Sequence, residues 1–577
     1  MKTNIVKITL RTWYIVPLYL ALALGFSSCN LDYFPSDELN ANVLLSSEKG
    51  AEYIIDGCYA MMKEEYEYVE YASSNTYVRH YLQDAEFPSD NICLSGQTTD
   101  PLAKATWYKM TDNLKNIELP WWIGYKVIYS ANTVIENFKE GESAAGDQLI
   151  GEAYFLRAMI HFHLVTLFAK QYTNDPTALG IPLRTSTNTE VTTRATVEEV
   201  YNQVTKDLKK AAELMTAPRH SGHPGYATKN TALGLLSRVY LYEEKNDSVL
   251  DVINQMGNPV ANLDPDYEHY FANALTSKET LLAIVHTVSE DRGSASIGSM
   301  YNGDGGGWGE VYASDPLMAL YERYPEDKRL SYIDLQIETD TRQPLYGKPA
   351  VFFPIKSDND DFRSNLFAEL KTDVSGKYCE LEGTKYPIYE VKINGMNEED
   401  PFGEYTAYYV MYGGEKCYAR LFPEFPLHRF TYPNYFVTKY SYQDGHPQLS
   451  SPVFLRWAEV VLNRAEANAK LGNAAAALAD VNAIRTRAGI PADGLFELGT
   501  KMHGYTDVLD VVLDERRMEL AFEGHRRNDV YRNKRSMDRR YAGTQPWEVI
   551  PYTADKIQYP IPFNERSVSG IPQNSGY

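Results

Sequence analysis

The chain has 577 residues, of which 44% are hydrophobic and 23% charged, and its formal net charge is -21. This length is enough for one large domain or two to four modest ones, with a sizeable buried core. The composition excludes a collagen, a wholly disordered chain and a polytopic membrane protein. An excess of carboxylates repels phosphate backbones, which argues against a nucleic-acid partner.

The first 28 residues have the pattern of a signal peptide. A basic start with Lys2, Lys7 and Arg11 contains no acidic residue, and an apolar run follows over 13–26. That run is shorter than the roughly 20 residues of a spanning helix. Small residues just before Cys29 resemble a bacterial lipobox, so Cys29 is the predicted lipidation site and first mature residue. The alternative is an ordinary signal peptide followed by a chance cysteine. A lipid anchor holds a protein to a membrane without crossing it.

Four other cysteines, Cys58, Cys93, Cys379 and Cys417, are too few for a disulfide framework in a chain of this length. None of them belongs to a CxxC pair. A bridge between Cys379 and Cys417 is the more plausible pairing, and buried free thiols are the alternative.

Apolar residues recur at helical spacing in five segments of the first half of the chain. The predicted helices are 48–63, 121–138, 146–170, 196–214 and 228–244. The third is apolar almost all round, which predicts a central place in a helical packing. There Glu152 and Arg157 would need partners.

The clearest repeat lies near the C-terminus. One helical face carries Leu455, Ala458, Leu462, Ala465 and Ala469, Gly472 interrupts it, and a second helix over 474–487 carries Ala477, Val481 and Ile484. This matches the 34-residue tetratricopeptide pattern over about one repeat, except that Ile484 stands where the pattern prefers Ala. A single hairpin cannot bury its own faces, so the N-terminal helices are predicted to stack on it.

Between 246 and 450, Gly, Pro, Asn and Asp interrupt short apolar runs. We predict a loop-rich, irregular α+β insertion there, the kind of region in which a binding surface is built. The chain also has 45 Tyr against 21 Phe. Because a tyrosine hydroxyl must find a partner, this excess indicates partly hydrated surfaces, at which one edge of the ring contacts water, as in many ligand-binding sites.

Eleven segments, in chain order, resemble the SusD/RagB family of outer-membrane nutrient-binding lipoproteins from Bacteroidetes. They begin with Leu-Asp-Tyr-Phe-Pro-Ser-Asp at 31–37 and end with Gln-Asn-Ser-Gly-Tyr at 573–577, and the others are the helical block 121–132 and the segments 151–158, 180–183, 194–201, 455–459, 464–467, 481–488, 515–526 and 559–562. The resemblance spans nearly the whole mature chain, is strongest at the C-terminal end and is loose in the middle region.

The resemblance implies a mainly α protein with a tetratricopeptide-like scaffold, divided into 29–245, the insertion 246–450 and 451–577. It further implies a lid on a SusC-like TonB-dependent transporter that captures oligosaccharide at the cell surface without catalysis. Two rival functions stay open, a surface glycoside hydrolase and a helical-repeat adaptor that binds only protein.

Trp308 is the first candidate for contact with a glycan. It follows a run of glycines at 305–307 that lacks the Lys-Ser/Thr of a phosphate loop. A tryptophan on a flexible loop is poorly explained by core packing, and an indole face suits the C–H face of a sugar. The family presents an aromatic residue from a comparable loop. Tyr301 and Tyr312, on either side, are further candidates. Ordinary loop packing is the alternative for all three.

A second wall of the site is predicted around 86–91, which resembles the acidic stretch that precedes a ligand-facing loop in the family. Three residues there are candidate hydrogen-bond partners for sugar hydroxyls, Arg79, Asp90 and Asn91. Three rings are candidates for stacking, Tyr81, Trp107 and Tyr108. A capped turn or a packed ring is the alternative for each.

The remaining polar patterns favour structural roles. Glu519 and Glu523 lie one helical turn apart within the charged run 515–532, and Glu523 reaches Arg527 at i,i+4, so ion pairing explains the run without catalytic carboxylates. His161 and His163 face different sides of their helix and cannot share a metal. The acidic loop with Asp358, Asp360 and Asp361 suits calcium, with a solvated turn as the alternative, and no other cofactor is predicted.

Overall fold

A computed structural model describes residues 45–577, except for 46, 67–75, 96, 97, 99, 102, 189, 191, 192, 357–362 and 395–403. The predicted signal peptide, Cys29 and the acidic loop at 358–361 therefore lie outside the described residues. None of the helices in the described part is both long and apolar enough to span a bilayer.

The described part is mainly α-helical. Its helices are α1 (Glu48–Lys63), α2 (Tyr77–Glu86), α3 (Ala103–Thr106), α4 (Lys115–Asn137), α5 (Ala144–Phe168), α6 (Val197–Leu214), α7 (Lys229–Tyr242), α8 (Asn246–Met256), α9 (Ile297–Tyr301), α10 (Asp315–Tyr321), α11 (Trp457–Lys470), α12 (Ala474–Arg487), α13 (Val508–Glu519), α14 (Arg526–Arg532) and α15 (Phe563–Ser569). The five helices predicted in the first half are present, and α1 has the predicted bounds. The largest shift is at α4, which begins at Lys115 and not at Trp121.

Four of the long N-terminal helices begin where a hydroxyl side chain caps free backbone N–H groups. The capping oxygens belong to Ser47, Ser143, Thr196 and Thr228. At α6 the Glu199 carboxylate also accepts a hydrogen bond from the Thr196 backbone N–H. Such caps satisfy donors that have no partner inside the helix. They explain why these helices begin where they do.

The helices form one continuous stack. In chain order α4, α5, α6, α7 and α8 pack each against the next, and α8 packs against α11. The helix α5 is buried almost all round, as its composition predicts. Its Glu152 accepts hydrogen bonds from Tyr59 and Gln148 at 3.1 Å each, and its Arg157 forms a two-bond ion pair with Asp207 at 2.7 and 2.8 Å. The two charged groups that the sequence left in need of partners on the central helix therefore have them.

The C-terminal hairpin consists of α11 and α12. Ala465 and Ala477 are both fully buried in one cluster, which allows the two helices to approach closely. Gly472 ends the first helix with a φ of +80°, a conformation that favours glycine. Because α8 and α7 pack against α11, the prediction that the N-terminal helices cover this hairpin is confirmed.

The middle region contains more regular structure than predicted. A seven-stranded antiparallel sheet is built from β5 (Ala350–Lys356), β6 (Arg363–Glu369), β7 (Lys371–Asp373), β8 (Gly376–Leu381), β9 (Thr384–Asn394), β10 (Glu404–Tyr412) and β11 (Glu415–Phe422), in the order β6-β5-β11-β10-β9-β8-β7. The sheet curls so that β6 also contacts β8. Its inner face has its own core around Val351, Phe353 and Val410.

Cys379 and Cys417 both belong to this inner core but are not bonded to each other, and Cys58 and Cys93 are free as well. The expected bridge is therefore absent from the described structure. Burial raises the pKa of Cys379 to about 11, so its thiol stays protonated and packs as a small apolar group.

Short strands join the middle region to the helical stack. These strands are β1 (Ile92–Leu94), β2 (Thr280–Ala283), β3 (Val311–Ala313), β4 (Ile333–Leu335), β12 (His428–Arg429), β13 (Tyr432–Pro433), β14 (Tyr435–Val437), β15 (Val453–Arg456), β16 (Met537–Asp538) and β17 (Val549–Ile550). They form antiparallel pairs, β1 with β3, β2 with β15, β4 with β14, β12 with β13 and β16 with β17. The loop that carries Trp308 connects α9 to β3, so the β1–β3 pair fixes one end of it.

A buried network of ion pairs connects β15 to α13. Arg456 binds Glu519 at 2.6 Å, Glu523 at 2.8 Å and Glu279 at 2.9 Å, and the Arg456 side chain is only 1% exposed. Burial alone would raise the pKa of Glu523, but the charges of Arg456 and Lys439 outweigh it and lower the pKa to about 2. The structural interpretation of the charged run 515–532 is confirmed, with one change of detail: Glu523 pairs with Arg456 and Lys439, and Arg527 instead donates to main-chain carbonyls.

We expect Arg456→Met to lower the free energy of unfolding by about 3–5 kcal/mol, because it removes one guanidinium that faces three buried carboxylates. Chemical denaturation measures this change. Arg342→Met is the control, since the Arg342 side chain is 88% exposed and pairs only with Asp340. An Arg456→Met midpoint equal to that of the control would show that the network contributes no stability.

Candidate glycan-binding site

Three hydrogen bonds, one from the indole edge and two at the backbone, fix the position of Trp308. Its indole Nε1 donates to the Ser294 carbonyl at 2.9 Å, its backbone N–H donates to Ser299 at 2.8 Å, and its carbonyl accepts from Arg429 at 3.2 Å. The residue is nevertheless 55% exposed. An aromatic side chain that is fixed in orientation and open to water can bind a ligand with little loss of conformational entropy.

The two glycines that flank Trp308 serve close packing. A Cβ atom at Gly307 would lie 2.0 Å from the Asn302 carbonyl oxygen and 2.4 Å from Gln448 Nε2. At Gly309, where φ is +51°, a Cβ atom would lie 2.7 Å from the Phe436 ring. At these two positions neighbouring groups leave no room for a side chain.

Two further exposed rings are tied to the same loop. Tyr442, 38% exposed, donates its hydroxyl to Asp304 at 2.5 Å, and Phe430, 56% exposed, follows Arg429 in the chain. We refer to Trp308, Phe430, Tyr442, Asp304 and Arg429 as the Trp308 surface. It presents apolar rings beside one acidic and one basic side chain. No local pattern predicts Arg429 or its neighbour Phe430, because the contact of Arg429 with Trp308 joins residues more than 100 positions apart.

Tyr301 and Tyr312 do not belong to this surface. Each is 1% exposed. The Tyr301 ring packs against Phe522 and Tyr440, and the Tyr312 ring lies near Phe436. Their proposed contact with a glycan is therefore wrong for this structure: a ring enclosed by protein has no face to offer a sugar. They belong to α9 and β3, the two elements that flank the loop, and anchor its ends in the core.

The predicted polar second wall is also part of the core. Asp90 is 3% exposed and binds Arg526 through two hydrogen bonds at 2.8 and 3.0 Å. Asn91 is fully buried and accepts from Arg517 at 3.0 Å, and Arg79 is 6% exposed and pairs with Asp100 at 2.9 Å. Because protein groups already use these polar atoms, we assign all three residues to the scaffold.

The three rings predicted for that wall have protein neighbours too. Tyr81 stacks on His163 with ring centroids 3.8 Å apart. The Tyr108 hydroxyl donates to the Pro88 carbonyl at 2.6 Å, and the residue is 8% exposed. Trp107 is half-buried, and its Nε1 donates to Thr544 at 3.4 Å. The Trp107 contact joins this region to the C-terminal segment, Tyr81 uses one ring face on His163, and burial leaves Tyr108 no ring face for a sugar.

Metal ligands do not cluster in the part of the chain that the structure describes: no group of three or more His, Cys, Asp or Glu side chains there could hold an ion. His161 accepts from the Arg184 backbone N–H at 3.4 Å, while His163 faces Tyr77 and Tyr81. Burial lowers the pKa of both imidazoles, to about 3 for His161. They are neutral structural groups on different sides of α5, as predicted.

Two family models match the chain. One, described as starch-binding and associating with the outer membrane, matches residues 33–241, and the SusD family model matches residues 285–577. The second match alone covers more than half of the chain. The chain therefore belongs to the SusD family.

The relatives found by sequence and by structure agree with this assignment. SusD-like protein P2 of Formosa agariphila is 23% identical over 490 residues, which cover 82% of each chain. A SusD superfamily protein of Bacteroides thetaiotaomicron has a TM-score of 0.66 at 20% identity, covering 92% of this chain and 99% of its own. A putative sugar binding protein of Bacteroides vulgatus has a TM-score of 0.64 at 21% identity, with 92% and 98% covered. At this identity the structural likeness establishes the fold alone.

The structural role of Asp90 can be tested through pH. Burial alone would raise its pKa, but Arg517 and Arg526 lower it well below the usual range. The stabilisation that Asp90 supplies is thus present above its unfolded pKa of about 3.9 and is lost as the pH falls further. We expect Asp90→Asn to lower the free energy of unfolding by about 3–5 kcal/mol at pH 7. The free energies of unfolding of the variant and the wild type should approach each other below about pH 4.

Denaturant titrations at several pH values measure the effect, with Asp340→Asn, which alters an exposed pair, as the control. If Asp90→Asn instead left stability unchanged at pH 7 and abolished glycan binding, Asp90 would return to the ligand site.

Proposed function

We propose that this SusD family protein captures oligosaccharides and that the Trp308 surface is where they bind. The observation that carries the proposal is the exposed indole of Trp308, fixed by hydrogen bonds from its edge. Removing water from the apolar faces of an indole and a sugar ring stabilises their contact. Asp304 and Arg429 supply polar groups beside it, and such groups decide which pattern of hydroxyls fits.

The protein acts by binding and not by catalysis in this proposal. Two descriptions support this view: one matching family model is described as starch-binding, and one structural neighbour is described as a putative sugar binding protein. A glycosidase would place two carboxyl groups roughly 5–10 Å apart across a sugar. On the Trp308 surface Asp304 instead accepts a hydrogen bond from Tyr442 and serves to hold the loop.

We expect Trp308→Ala to weaken binding of a recognised oligosaccharide by tenfold or more, about 1.4 kcal/mol, while the melting temperature stays close to that of wild type. Affinity electrophoresis against a polysaccharide panel identifies the ligand, and calorimetry measures the change. Tyr346→Ala is the matched control, because Tyr346 is 42% exposed and lies elsewhere.

Equal binding by Trp308→Ala and the control would remove the Trp308 surface from the proposal. Release of reducing ends from any polysaccharide of the panel would support the hydrolase alternative. Absence of binding to the whole panel, together with tight association with a membrane protein, would support the adaptor alternative.

Lipid attachment at Cys29 and delivery of the captured oligosaccharide to a SusC-like TonB-dependent transporter complete the proposal. A surface anchor keeps the binding protein next to its transporter. We expect Cys29→Ser to abolish incorporation of labelled palmitate and to shift the protein out of the outer-membrane fraction. Cys58→Ser is the control, since Cys58 is a buried thiol. Equal labelling of Cys29→Ser and wild type would exclude Cys29 as the acceptor.

A further inference from the structure

A cavity of about 990 Å³ lies apart from the Trp308 surface. One wall is the curled sheet, chiefly β10 and β11, and the others come from the segment around α10, from α13 and from the C-terminal segment near Trp547. None of the five residues of the Trp308 surface lines it. Its volume is at the upper end of the roughly 300–1,000 Å³ typical of ligand pockets.

The lining of this cavity carries charges of both signs, and not all of its cations pair with a carboxylate. Three lining arginines are paired: Arg420 with Glu322, Arg485 with Glu515, and Arg540 with Asp538. A fourth, Arg323, donates to the Tyr505 hydroxyl at 3.0 Å. Within the residues that the structure describes, three other lining cations have no carboxylate within 4.0 Å, and these are Arg363, Lys392 and Lys416. All three belong to the sheet.

Aromatic rings hold two of these cations in place. The Lys416 ammonium lies 4.4 Å from the ring centroid of Tyr409 and 4.9 Å from that of Tyr418. The Arg363 guanidinium lies 4.5 Å from the ring centroid of Trp547, and the residue is only 9% exposed. A cation–π contact is weaker than the hydration that a buried guanidinium loses. An anion bound at this position would offset that loss.

A row of tyrosines leads from the cavity to the open surface of the sheet. Tyr418 of β11 stands opposite Tyr409 of β10, which stands opposite Tyr389 of β9. The rings of Tyr389 and Tyr409 stack at 5.1 Å, and Tyr389 is 43% exposed. Adjacent strands lie about 4.8 Å apart, so the row offers hydroxyls and ring edges at regular intervals beside Lys416.

We propose that this cavity and its tyrosine row form a second carbohydrate site, specific for acidic oligosaccharides whose sugars carry carboxylate or sulfate groups. Arg363 and Lys416 bind the anionic groups, and Tyr409, Tyr418 and Trp547 fix both cations and line the path of the chain. A guanidinium matches an oxyanion with two parallel hydrogen bonds, whereas the ammonium adds a point charge.

The local charge decides selectivity although the whole protein is acidic. At physiological ionic strength charges farther away than about 8 Å are largely screened, so the net charge of the whole protein does not exclude an acidic ligand here. Asp315 is the one lining carboxylate without a hydrogen bond or ion pair in the described structure, and burial raises its pKa. The other lining carboxylates are each already bonded to a protein side chain.

The test uses the full mature chain and three tetrasaccharides: tetragalacturonate, a sulfated galactotetraose and neutral galactotetraose. We expect calorimetry at low salt to show binding of at least one acidic tetrasaccharide, and this binding to weaken at 0.5 M NaCl. Lys416→Gln and Arg363→Gln should each weaken it by tenfold or more. Lys416 is an exposed side chain, so that variant keeps the test valid if Arg363→Gln fails to fold.

Lys385→Gln is the matched control. Lys385 also lies over a tyrosine of the same sheet, Tyr378 at 4.1 Å, but its ammonium pairs with Asp373 at 2.6 Å. No binding of either acidic tetrasaccharide to wild type, or equal losses in Lys416→Gln and Lys385→Gln, would overturn the proposal.

The Trp308→Ala variant distinguishes the cavity proposal from the proposed function. The cavity proposal rests on the proposed function only for its class of ligand, oligosaccharides. Acidic binding that survives Trp308→Ala but not Lys416→Gln supports a second site. Acidic binding that is lost in Trp308→Ala and kept in Lys416→Gln places the acidic sugar on the Trp308 surface and overturns the cavity site alone.

Discussion

The pairing of buried arginines with buried carboxylates is the constraint on which the rest of the structure depends. Taking a guanidinium and a carboxylate out of water costs several kcal/mol each, so neither can be buried unless the partner arrives with correct geometry. In this chain the partners come from distant segments: Arg456 meets Glu279, and Asp90 meets Arg526. Misplacing any of these segments would leave a charge buried alone. The network therefore fixes how the helical stack, the strands of the middle region and the C-terminal segment fit together, and it holds the base from which the Trp308 loop projects.

The same network explains why the fold could be predicted better than the site. The period of apolar residues is local, so α1, α5 and the α11–α12 hairpin could be predicted from it. Asp90, Asn91 and Arg79 carry polar groups that suit a sugar equally well, and their true partners lie up to more than 400 positions away in the chain. No local pattern distinguishes a polar side chain that is free to bind a ligand from one whose hydrogen-bonding groups are already bonded to a distant arginine. Trp308 could be proposed from the sequence because the glycines beside it indicate a loop, where core packing explains a tryptophan poorly.

The tyrosine excess has a different explanation from the one that the composition suggested. Many of the described rings are buried, and their hydroxyls donate to main-chain carbonyls of segments far away in the chain. Tyr440 binds the Phe522 carbonyl at 2.7 Å, Tyr559 that of Asp84 in α2 at 2.6 Å, and Tyr541 that of Ile92 in β1 at 2.9 Å. A buried carbonyl group needs a donor. Tyrosine supplies that donor together with a large apolar ring, which phenylalanine cannot do. Among the tyrosines that the structure describes, only a minority, such as Tyr389 and Tyr442, remain open to a ligand.

The two proposed surfaces use aromatic rings in opposite ways, and this difference follows from what surrounds each ring. At Trp308 the edge nitrogen is satisfied by Ser294 and the residue is largely open, so the available stabilisation is loss of water from an apolar face, which does not depend on ligand charge. At Tyr409 and Tyr418 the Lys416 ammonium already lies over both rings, so the ring faces orient this cation. A ligand would then contact the ammonium and not the ring faces. Because the first contact is insensitive to salt and the second is screened by it, ionic strength alone separates the two modes of recognition on one molecule. The scaffold makes both available at once, since the sheet that carries Lys416 has a core of its own and can change its surface residues without disturbing the helices that support Trp308.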